Sequence, residues 1–242
     1  MDGFSYVDIF DTKGIEYLII IGFLILIIPF WNVLNRMKIA DVKVRMSSGI
    51  LSDAVLNIPM GIFFSKNHTW AFLEKSGSAR TGLDDFLLHV TGDVSVRCIK
   101  KQGEKVNRGE IMAEIIQNGK TLRIVSPLSG TIVETNPGLN EQGIMEGDPY
   151  DKAWIYRIMP AAWIEETSSY LLAENARAWF RREIERFRDL MAEYFRQSIS
   201  GNPMLVLQDG GELRDRPLAE LPDEAWHIFE KSFLTSEGRN MN

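Results

Sequence analysis

The pattern of apolar and polar positions divides the 242 residues into three parts. Residues 17–34 read YLIIIGFLILIIPFWNVL, an apolar run without a charge. Residues 67–160 contain short apolar segments separated by turn residues, which is typical of many short strands in a small sandwich or barrel. Beyond residue 160, apolar positions recur every three or four residues and indicate helices. We therefore predict a mainly β fold with added α-structure, and we assign residues 35–66 as a connector.

The apolar run predicts a transmembrane helix from Tyr17 to Leu34. Eighteen helical residues rise roughly 27 Å, close to the thickness of the hydrocarbon core of a bilayer. Tyr17 and Trp31 flank the run, where amphipathic rings favour the membrane interface. A secretory signal peptide is the alternative, but the preceding segment is acidic and no small-residue cleavage site follows. The sequence therefore favours a retained anchor in the lipid bilayer.

Flanking basic residues predict how this anchor is oriented. Lys13 alone precedes the apolar run, whereas four basic residues follow it closely: Arg36, Lys38, Lys43 and Arg45. Because basic flanks stay cytoplasmic, residues 1–16 are expected to be extracytoplasmic. We predict a single-pass protein of the inner or cytoplasmic membrane whose C-terminal domain faces the cytoplasm.

Two local signals in the middle part predict specific elements. Residues 84–90 have the length and pattern of a helix, unlike their surroundings. Asn118-Gly119 lies between apolar segments and predicts a tight hairpin with a type I′ turn, which needs positive φ at both central residues. With that pair at the centre of the turn, Lys120 pairs across from Gln117 and begins the return strand.

The third part, residues 161–242, is predicted to be a mainly helical C-terminal extension. Residues 165–199 form one long amphipathic helix in this interpretation, followed by a short strand at Met204–Leu207. Pro222-Asp223-Glu224 opens a last helix, because acidic residues favour a first helical turn. Two interpretations stay open for the apolar stripe of the long helix, which packs either on its own domain or on a partner subunit. The stripe comprises Leu172, Ala176, Trp179, Ile184, Phe187, Met191, Tyr194 and Phe195.

Composition excludes several classes of function. A net charge of −6 and a pI near 5.2 speak against a nucleic-acid partner. Cys98 is the single cysteine, so an intrachain disulfide and a cysteine-based metal cluster are excluded, and we expect it to be buried and inert. His89 and His227 lie far apart in sequence, with no spacing that suggests a shared metal. No phosphate-binding loop or nucleophile elbow is present. We predict neither a catalytic nor a metal site.

The middle part resembles a known family through several motifs in order. The segment 126–134, SPLSGTIVE, resembles the strand-turn-strand of lipoyl and biotinyl domains. The remaining motifs resemble those of the glycine cleavage system H protein: Asn67-His68-Thr69-Trp70, Gly82-Leu83-Asp84-Asp85-Phe86, Gly92-Asp93-Val94, Gly103-Glu104-Lys105-Val106, Gly109-Glu110, Asp148-Pro149-Tyr150 and Ala153-Trp154-Ile155. This resemblance implies an H-protein-like β-hybrid, or barrel-sandwich, domain at residues 67–160. It also implies a structural role for His68.

The resemblance sharpens one question about a cofactor. In the family, a lysine at a hairpin tip is lipoylated, seven residues before the serine that matches Ser126. Here that position holds Gly119, and Lys120 comes one residue late. Because side chains alternate between faces along a strand, a shift of one residue changes where the amine points. This departure from the family's pattern implies no bound cofactor. The alternative is covalent lipoate on Lys120.

These observations lead to a functional expectation. We expect a non-catalytic, membrane-anchored H-protein-like scaffold that docks to subunits of an integral-membrane complex, with a respiratory or redox complex as a guess by analogy. The alternative is a membrane-tethered lipoyl carrier of the glycine cleavage type that uses Lys120. Asp84, Asp85 and Asp148 are expected to act in helix caps and turns rather than in catalysis.

Overall fold

The structure is a computed structural model, and it describes residues 14, 17–27, 30, 51–52, 54–139, 148–197 and 213–235. The chain divides into two compact units, residues 1–45 and 46–242. In the first unit, residues 17–27 are helical and form α1. The predicted extracytoplasmic segment lies outside the described residues except for Gly14, and so does the predicted strand Met204–Leu207.

The predicted transmembrane helix is not found in the structure. No helix in the described part of the chain combines the length and the apolar character needed to cross a membrane. Residues 28, 29 and 31–34 of the predicted span lie outside the described residues.

In its described residues, the second unit contains two β-sheets built from nine short strands. The strands are β1 (Phe63–Phe64), β2 (Thr69–Leu73), β3 (Ala79–Leu83), β4 (Ser95–Cys98), β5 (Lys105–Val106), β6 (Ile111–Gln117), β7 (Lys120–Val125), β8 (Gly130–Thr135) and β9 (Tyr156–Pro160). The larger sheet has the order β1-β2-β3-β9-β8-β5, and the smaller has the order β4-β6-β7. Neighbouring strands are antiparallel in both sheets. The predicted small β-domain of many short strands is confirmed.

The helix predicted at residues 84–90 is confirmed as α2 (Asp85–Thr91). Asp84 caps it, since its Oδ1 accepts a hydrogen bond of 2.9 Å from the backbone N–H of Leu87. Phe86, Leu87 and Val90 are buried on its inner face. Asp84 therefore has the capping role that the sequence predicted.

The long helix predicted at residues 165–199 is wrong in one respect, because two helices occupy this region. They are α3 (Trp163–Thr167) and α4 (Ala173–Gln197). Between them, Leu171 leaves the helical path and pairs with Phe64 of β1 through two backbone hydrogen bonds of 2.9 and 3.0 Å. A tertiary strand contact thus interrupts a sequence that is periodic enough for one helix.

The apolar stripe of α4 packs against the β-domain of the same chain. Its buried members join the core formed by the β-domain, as do Phe180 and Phe229, and the large rings meet edge to face or stacked. Trp179, Ile184, Phe187 and Met191 are each at most 5% exposed. Of the two interpretations of this stripe, the structure supports internal packing.

Residues 213–235, hereafter the C-terminal segment, complete this core. The segment contains a 3-10 helix (Pro217–Glu220), the predicted last helix α5 (Asp223–Phe229) and a π-helical turn (Glu230–Leu234). Trp226, Phe229 and Phe233 are at most 1% exposed. Burying a large side chain stabilises a fold by about 1.5–3 kcal/mol, so these rings hold the segment firmly in place.

Two assigned regions differ in detail from the sequence interpretation. Leu51, Leu56 and Ile62 of the predicted connector are buried in the same core, and β1 also lies in that stretch. Cys98 is half-buried rather than buried, and burial raises the pKa of its thiol. A thiol with a raised pKa is a poor nucleophile at neutral pH, so the expectation of an inert cysteine stands on this ground.

Candidate functional site

The hairpin between β6 and β7 has the geometry that the sequence predicts. Asn118 and Gly119 have φ angles of 49° and 82°, the positive values that a type I′ turn requires. Gln117 pairs with Lys120, which is the first residue of β7. Apart from Gly119 itself and its two chain neighbours, no described residue has an atom within 4 Å of a Cβ placed on Gly119. The hairpin apex at Gly119 is therefore open, while Lys120 already belongs to the sheet.

The amine of Lys120 contacts the backbone of the C-terminal segment. Its Nζ donates hydrogen bonds of 2.9 and 2.8 Å to the carbonyl oxygens of Ala219 and Leu221, and a longer one of 3.4 Å to that of Leu218. It also lies 5.0 Å from the centre of the Trp226 ring, in a cation–π arrangement. Lysine offers three donors, and all three have acceptors in this arrangement.

The environment of this amine also affects its protonation. Burial lowers the pKa of Lys120, and the charge of Asp223 opposes that effect. The acceptors lie at the C-terminal end of the 3-10 helix: Leu218 and Ala219 are in the helix and Leu221 is its C-cap residue, and the carbonyl of Leu218 also accepts the backbone N–H of Leu221 at 3.2 Å. Carbonyl groups at this end of a helix carry partial negative charge, which favours a cation. Lys120 therefore acts as a cap for this short helix.

Contacts on either side of Lys120 attach the C-terminal segment to the β-domain. Glu230 is buried, and its Oε1 accepts bonds of 3.0 and 2.7 Å from the backbone N–H and the Nε of Arg123 on β7. Asp215 lies 2.7 Å from Nδ1 of His89 on α2. The backbone N–H of Arg216 donates to the carbonyl of His89 at 2.7 Å. The segment is thus fixed to both α2 and the hairpin.

His68 lies at the centre of a buried polar cluster. Its Nδ1 is 2.8 Å from Oδ2 of Asp84, and its Nε2 is 3.6 Å from Oε2 of Glu183 on α4. The imidazole stacks between Phe86 and Trp179, with ring centres 4.6 and 5.0 Å away. Burial alone lowers the pKa of His68, but the charges and hydrogen bonds of Asp84 and Glu183 outweigh it and raise the pKa.

This cluster is structural rather than catalytic. His68, Asp84 and Glu183 are each less than 5% exposed, so no substrate reaches them. The described residues also contain no group of three or more His, Cys, Asp or Glu side chains arranged to hold a metal ion. His89 and His227 face different carboxylates, Asp215 and Asp223 respectively. The three histidines therefore serve separate ion pairs.

The other predicted polar residues act in turns and caps. Asp148 accepts a hydrogen bond of 2.8 Å from the backbone N–H of Tyr150. Asp85 accepts one of 2.7 Å from the backbone N–H of Asn57, and burial raises the pKa of its carboxyl group. In the SPLSG turn, Oγ of Ser126 donates to the carbonyl of Leu128 at 2.7 Å. The expected cap and turn roles are confirmed for Asp84 and Asp148, whereas Asp85 makes a tertiary contact with the backbone of Asn57.

Several residues of the site carry no signal in the sequence. Three carboxylates lie in helical or turn segments with no distinctive sequence pattern: Glu183, Asp215 and Glu230. Their spacing does not identify their respective partners, which are His68, His89 and Arg123. Each pair joins positions that are far apart along the chain. Only the tertiary fold brings them together.

The sequence of this chain matches a family of known proteins. The sequence profile of the family described as "Glycine cleavage H-protein" matches residues 62–183, just over half of the chain. The chain belongs to this family. The match contains the β6–β7 hairpin and ends within α4, so the C-terminal segment lies beyond it.

Two relatives with similar sequences agree with this assignment. The chain is 28% identical over 115 residues to a probable glycine cleavage system H protein of Thermococcus gammatolerans, which covers 47% of this chain and 85% of that protein. It is 33% identical over 107 residues to the glycine cleavage system H protein of Thermus thermophilus, covering 43% and 82%. A crystal structure of the H protein from Mycobacterium marinum has 25% identity and a TM-score of 0.38, and covers 43% of this chain and 87% of that one.

Family membership settles the coarse features of the chain. Its mixed β-sheets and helices form an H-protein-like fold, as the motifs implied. H proteins are carriers and not catalysts themselves, which is consistent with the prediction that this chain is not an enzyme.

Proposed function

We propose that this chain is a non-catalytic member of the H-protein family that carries no lipoate and serves as an accessory subunit of an integral-membrane complex. The observation that carries this proposal is the position of Lys120. Its amine is bonded to three carbonyl oxygens of the same chain, and the apex of the hairpin is Gly119, which has no amine. These residues do not fit a covalently attached lipoyl arm.

A carrier fold without its arm keeps the surface of the fold but loses the group-transfer chemistry. Binding is then the use that remains for the domain. Among the described residues, no group of three or more His, Cys, Asp or Glu side chains is arranged to hold a metal ion, and the pKa of the Cys98 thiol is raised, which disfavours a nucleophilic role for it. This supports a role in docking rather than in transfer.

The apolar residues of α1 support the membrane part of the proposal. Every large apolar side chain from Tyr17 to Leu26 is between 50 and 71% exposed. Apolar surface of this extent marks contact with a lipid phase or with another protein. We propose that residues 17–34 provide this contact beside an integral-membrane complex, with a respiratory or redox complex as the partner suggested by analogy.

Purification from the native host tests the proposal. The full chain is extracted in mild detergent, its co-purifying proteins are identified, and its intact mass is measured. We expect integral-membrane subunits to accompany the chain and its mass to equal that of the unmodified sequence. A well-behaved lone monomer would contradict the docking role.

The same measurement tests the alternative carrier function. A mass increment of the size of a lipoyl group that is lost in a Lys120→Ala variant, but kept in a Lys101→Ala variant, would reject the proposal. It would identify the chain as a lipoyl carrier of the glycine cleavage type.

A further inference from the structure

We propose that the C-terminal segment, residues 213–235, is an autoinhibitory cover that withholds the amine of Lys120 from acylation. This inference rests on the proposed function and supplies a physical reason for it. The one-residue shift of the lysine is then not the only obstacle to modification. The chain also carries its own block.

The first support is that all three hydrogen-bond donors of the Lys120 amine already have acceptors. Acylation requires the ammonium of Lys120 to lose a proton, so that the nitrogen lone pair attacks the acyl carbon. The C–N bond then forms as the bond to the leaving group breaks, and a second proton passes to solvent. Three carbonyl oxygens surround Nζ within 3.4 Å, and the Trp226 ring lies 5.0 Å away. Lys120 is partly exposed, but its amine is engaged by these contacts, so they must open before the nitrogen lone pair is free to attack an acyl donor.

The second support is the strength of the attachment. Trp226 is fully buried, and its Nε1 donates a hydrogen bond of 2.8 Å to the carbonyl of Leu218. The ring that faces Lys120 thus also fixes the 3-10 helix that supplies the acceptors. Glu230 with Arg123 and Asp215 with His89 hold the segment on both sides. These contacts make a fixed cover rather than a loose tail.

The third support is the specificity of the cover for this amine. Gly119 is the immediate neighbour of Lys120, and the space around its Cβ position is open. The cover therefore reaches the lysine but not the apex one residue away. Burial also lowers the pKa of Lys120, which would speed its reaction if access were free. If the segment covers the amine, Lys120 should be acylated more slowly than an exposed lysine. If access is free, Lys120 should be acylated faster.

The test is amine acetylation of the purified full chain with an N-hydroxysuccinimide ester, followed by peptide mass mapping over time. Lys75 and Lys101 are exposed and serve as internal references. We expect Lys120 to react at least about tenfold more slowly than either reference, because its reaction requires local opening. A rate for Lys120 equal to or above that of Lys75 would overturn the proposal.

Variants separate the cover from the hairpin itself. A Gly119→Lys variant adds an uncovered amine beside the covered one, and we expect the new lysine to react like Lys75 while Lys120 stays slow. The Asp215→Asn/Glu230→Gln double variant weakens both attachments and should speed acetylation of Lys120 several-fold. The matched control, Asp189→Asn/Glu185→Gln, changes exposed residues of α4 and should leave the rate unchanged.

The outcomes distinguish this inference from the proposed function. Circular dichroism checks that each variant is folded, and Arg216→Ala, which removes the pair with Asp93, replaces the double variant if that one unfolds. Unchanged protection of Lys120 in a folded weakened variant would contradict the cover. Lipoate on Lys120 from the native host would reject the proposed function and the cover together, whereas fast acetylation of Lys120 in a chain that carries no lipoate would reject the cover alone.

Discussion

The imidazole of His68 and the carboxylate of Asp84 form a fully buried pair, with Nδ1 and Oδ2 2.8 Å apart. Asp84 uses its other oxygen to cap α2, and Glu183 of α4 faces the opposite ring nitrogen at 3.6 Å. Arg186 in turn donates two hydrogen bonds of 2.7 and 2.8 Å to Glu183. One imidazole thus links the β-domain to the long helix of the extension through charged groups.

This arrangement predicts a pH dependence of stability. The pKa of His68 is raised in the folded state by Asp84 and Glu183, although burial opposes them. The pKa of His89 is also raised, because Asp215 and Asp85 outweigh burial and the charge of Arg216. A raised folded-state pKa contributes stability that is fully present below the unfolded value of about 6.5 and is lost as the pH rises through the folded value.

We therefore expect the free energy of unfolding to fall as the pH rises above about 6.5. Urea titrations at successive pH values measure this slope. His89→Gln should reduce the slope, because it removes one of the two raised groups. Thr131→Ala is the control, since it removes no titratable group, and it should leave the slope unchanged. Stability that rises with pH over this range would contradict the assignment.

Lys120 is expected to contribute to stability in addition to any effect on modification. A Lys120→Met variant removes the cation that caps the 3-10 helix, and the carbonyls of Ala219 and Leu221 lose their donor. We expect a loss of about 1–2 kcal/mol in the free energy of unfolding, because hydrogen bonds to a charged group contribute about 1.5–3 kcal/mol and the partial exposure of Lys120 reduces this. Lys75→Met in an exposed turn should change it by less than about 0.5 kcal/mol. Equal effects of the two variants, measured by urea unfolding, would show that the cap contributes nothing.

Gly130, in the SPLSG motif, is required by close packing between two strands. A Cβ added there would lie 2.2 Å from the carbonyl oxygen of Met159 and 2.7 Å from Cγ2 of Ile158. Because the nearest atom is backbone, β8 and β9 must separate to admit a methyl group. Gly130→Ala should destabilise the domain by about 3 kcal/mol, whereas Thr131→Ala should cost below about 1 kcal/mol. Thermal unfolding compares them, and a Gly130→Ala protein as stable as wild type would refute this packing.

Phe187 tests whether the stripe of α4 belongs to the core of this chain. Its ring is fully buried and meets Phe86, Phe229 and Phe233. Phe187→Ala should reduce the free energy of unfolding of the isolated chain by about 3–5 kcal/mol. Arg188→Ala, on the exposed side of the same turn, should change it by less than about 0.5 kcal/mol. A small effect of Phe187→Ala in the absence of any partner would favour the alternative that the stripe binds another subunit.

Local rules predicted the hairpin well. Asn118-Gly119 requires an unusual backbone conformation that few residue pairs tolerate, so the turn type and the pairing of Gln117 with Lys120 follow from two letters of sequence. The cap at Asp84 followed in the same way from a short polar residue ahead of an apolar helix. Both features depend on contacts within a few residues.

The remaining features depend on distant contacts that the sequence does not encode locally. Periodicity predicted one helix where the structure has α3 and α4. The break between them could not be predicted, because it comes from the pairing of Leu171 with Phe64, two positions more than 100 residues apart. Lys120 was predicted to begin the return strand, with covalent lipoate as the alternative. Its three carbonyl partners were not predicted, because they lie about 100 residues further along the chain. Every residue has a backbone carbonyl group, so the sequence does not show which of them accept a hydrogen bond from Lys120.

The antiparallel bridge between Phe64 and Leu171 has a consequence for self-association. β1 is the outermost strand of the larger sheet, and such a strand offers unpaired backbone groups on which a strand of another molecule can add. Leu171 occupies two of those groups with hydrogen bonds from its own chain. The linker between α3 and α4 thus covers this edge of the sheet and leaves fewer backbone groups open to a strand of another molecule.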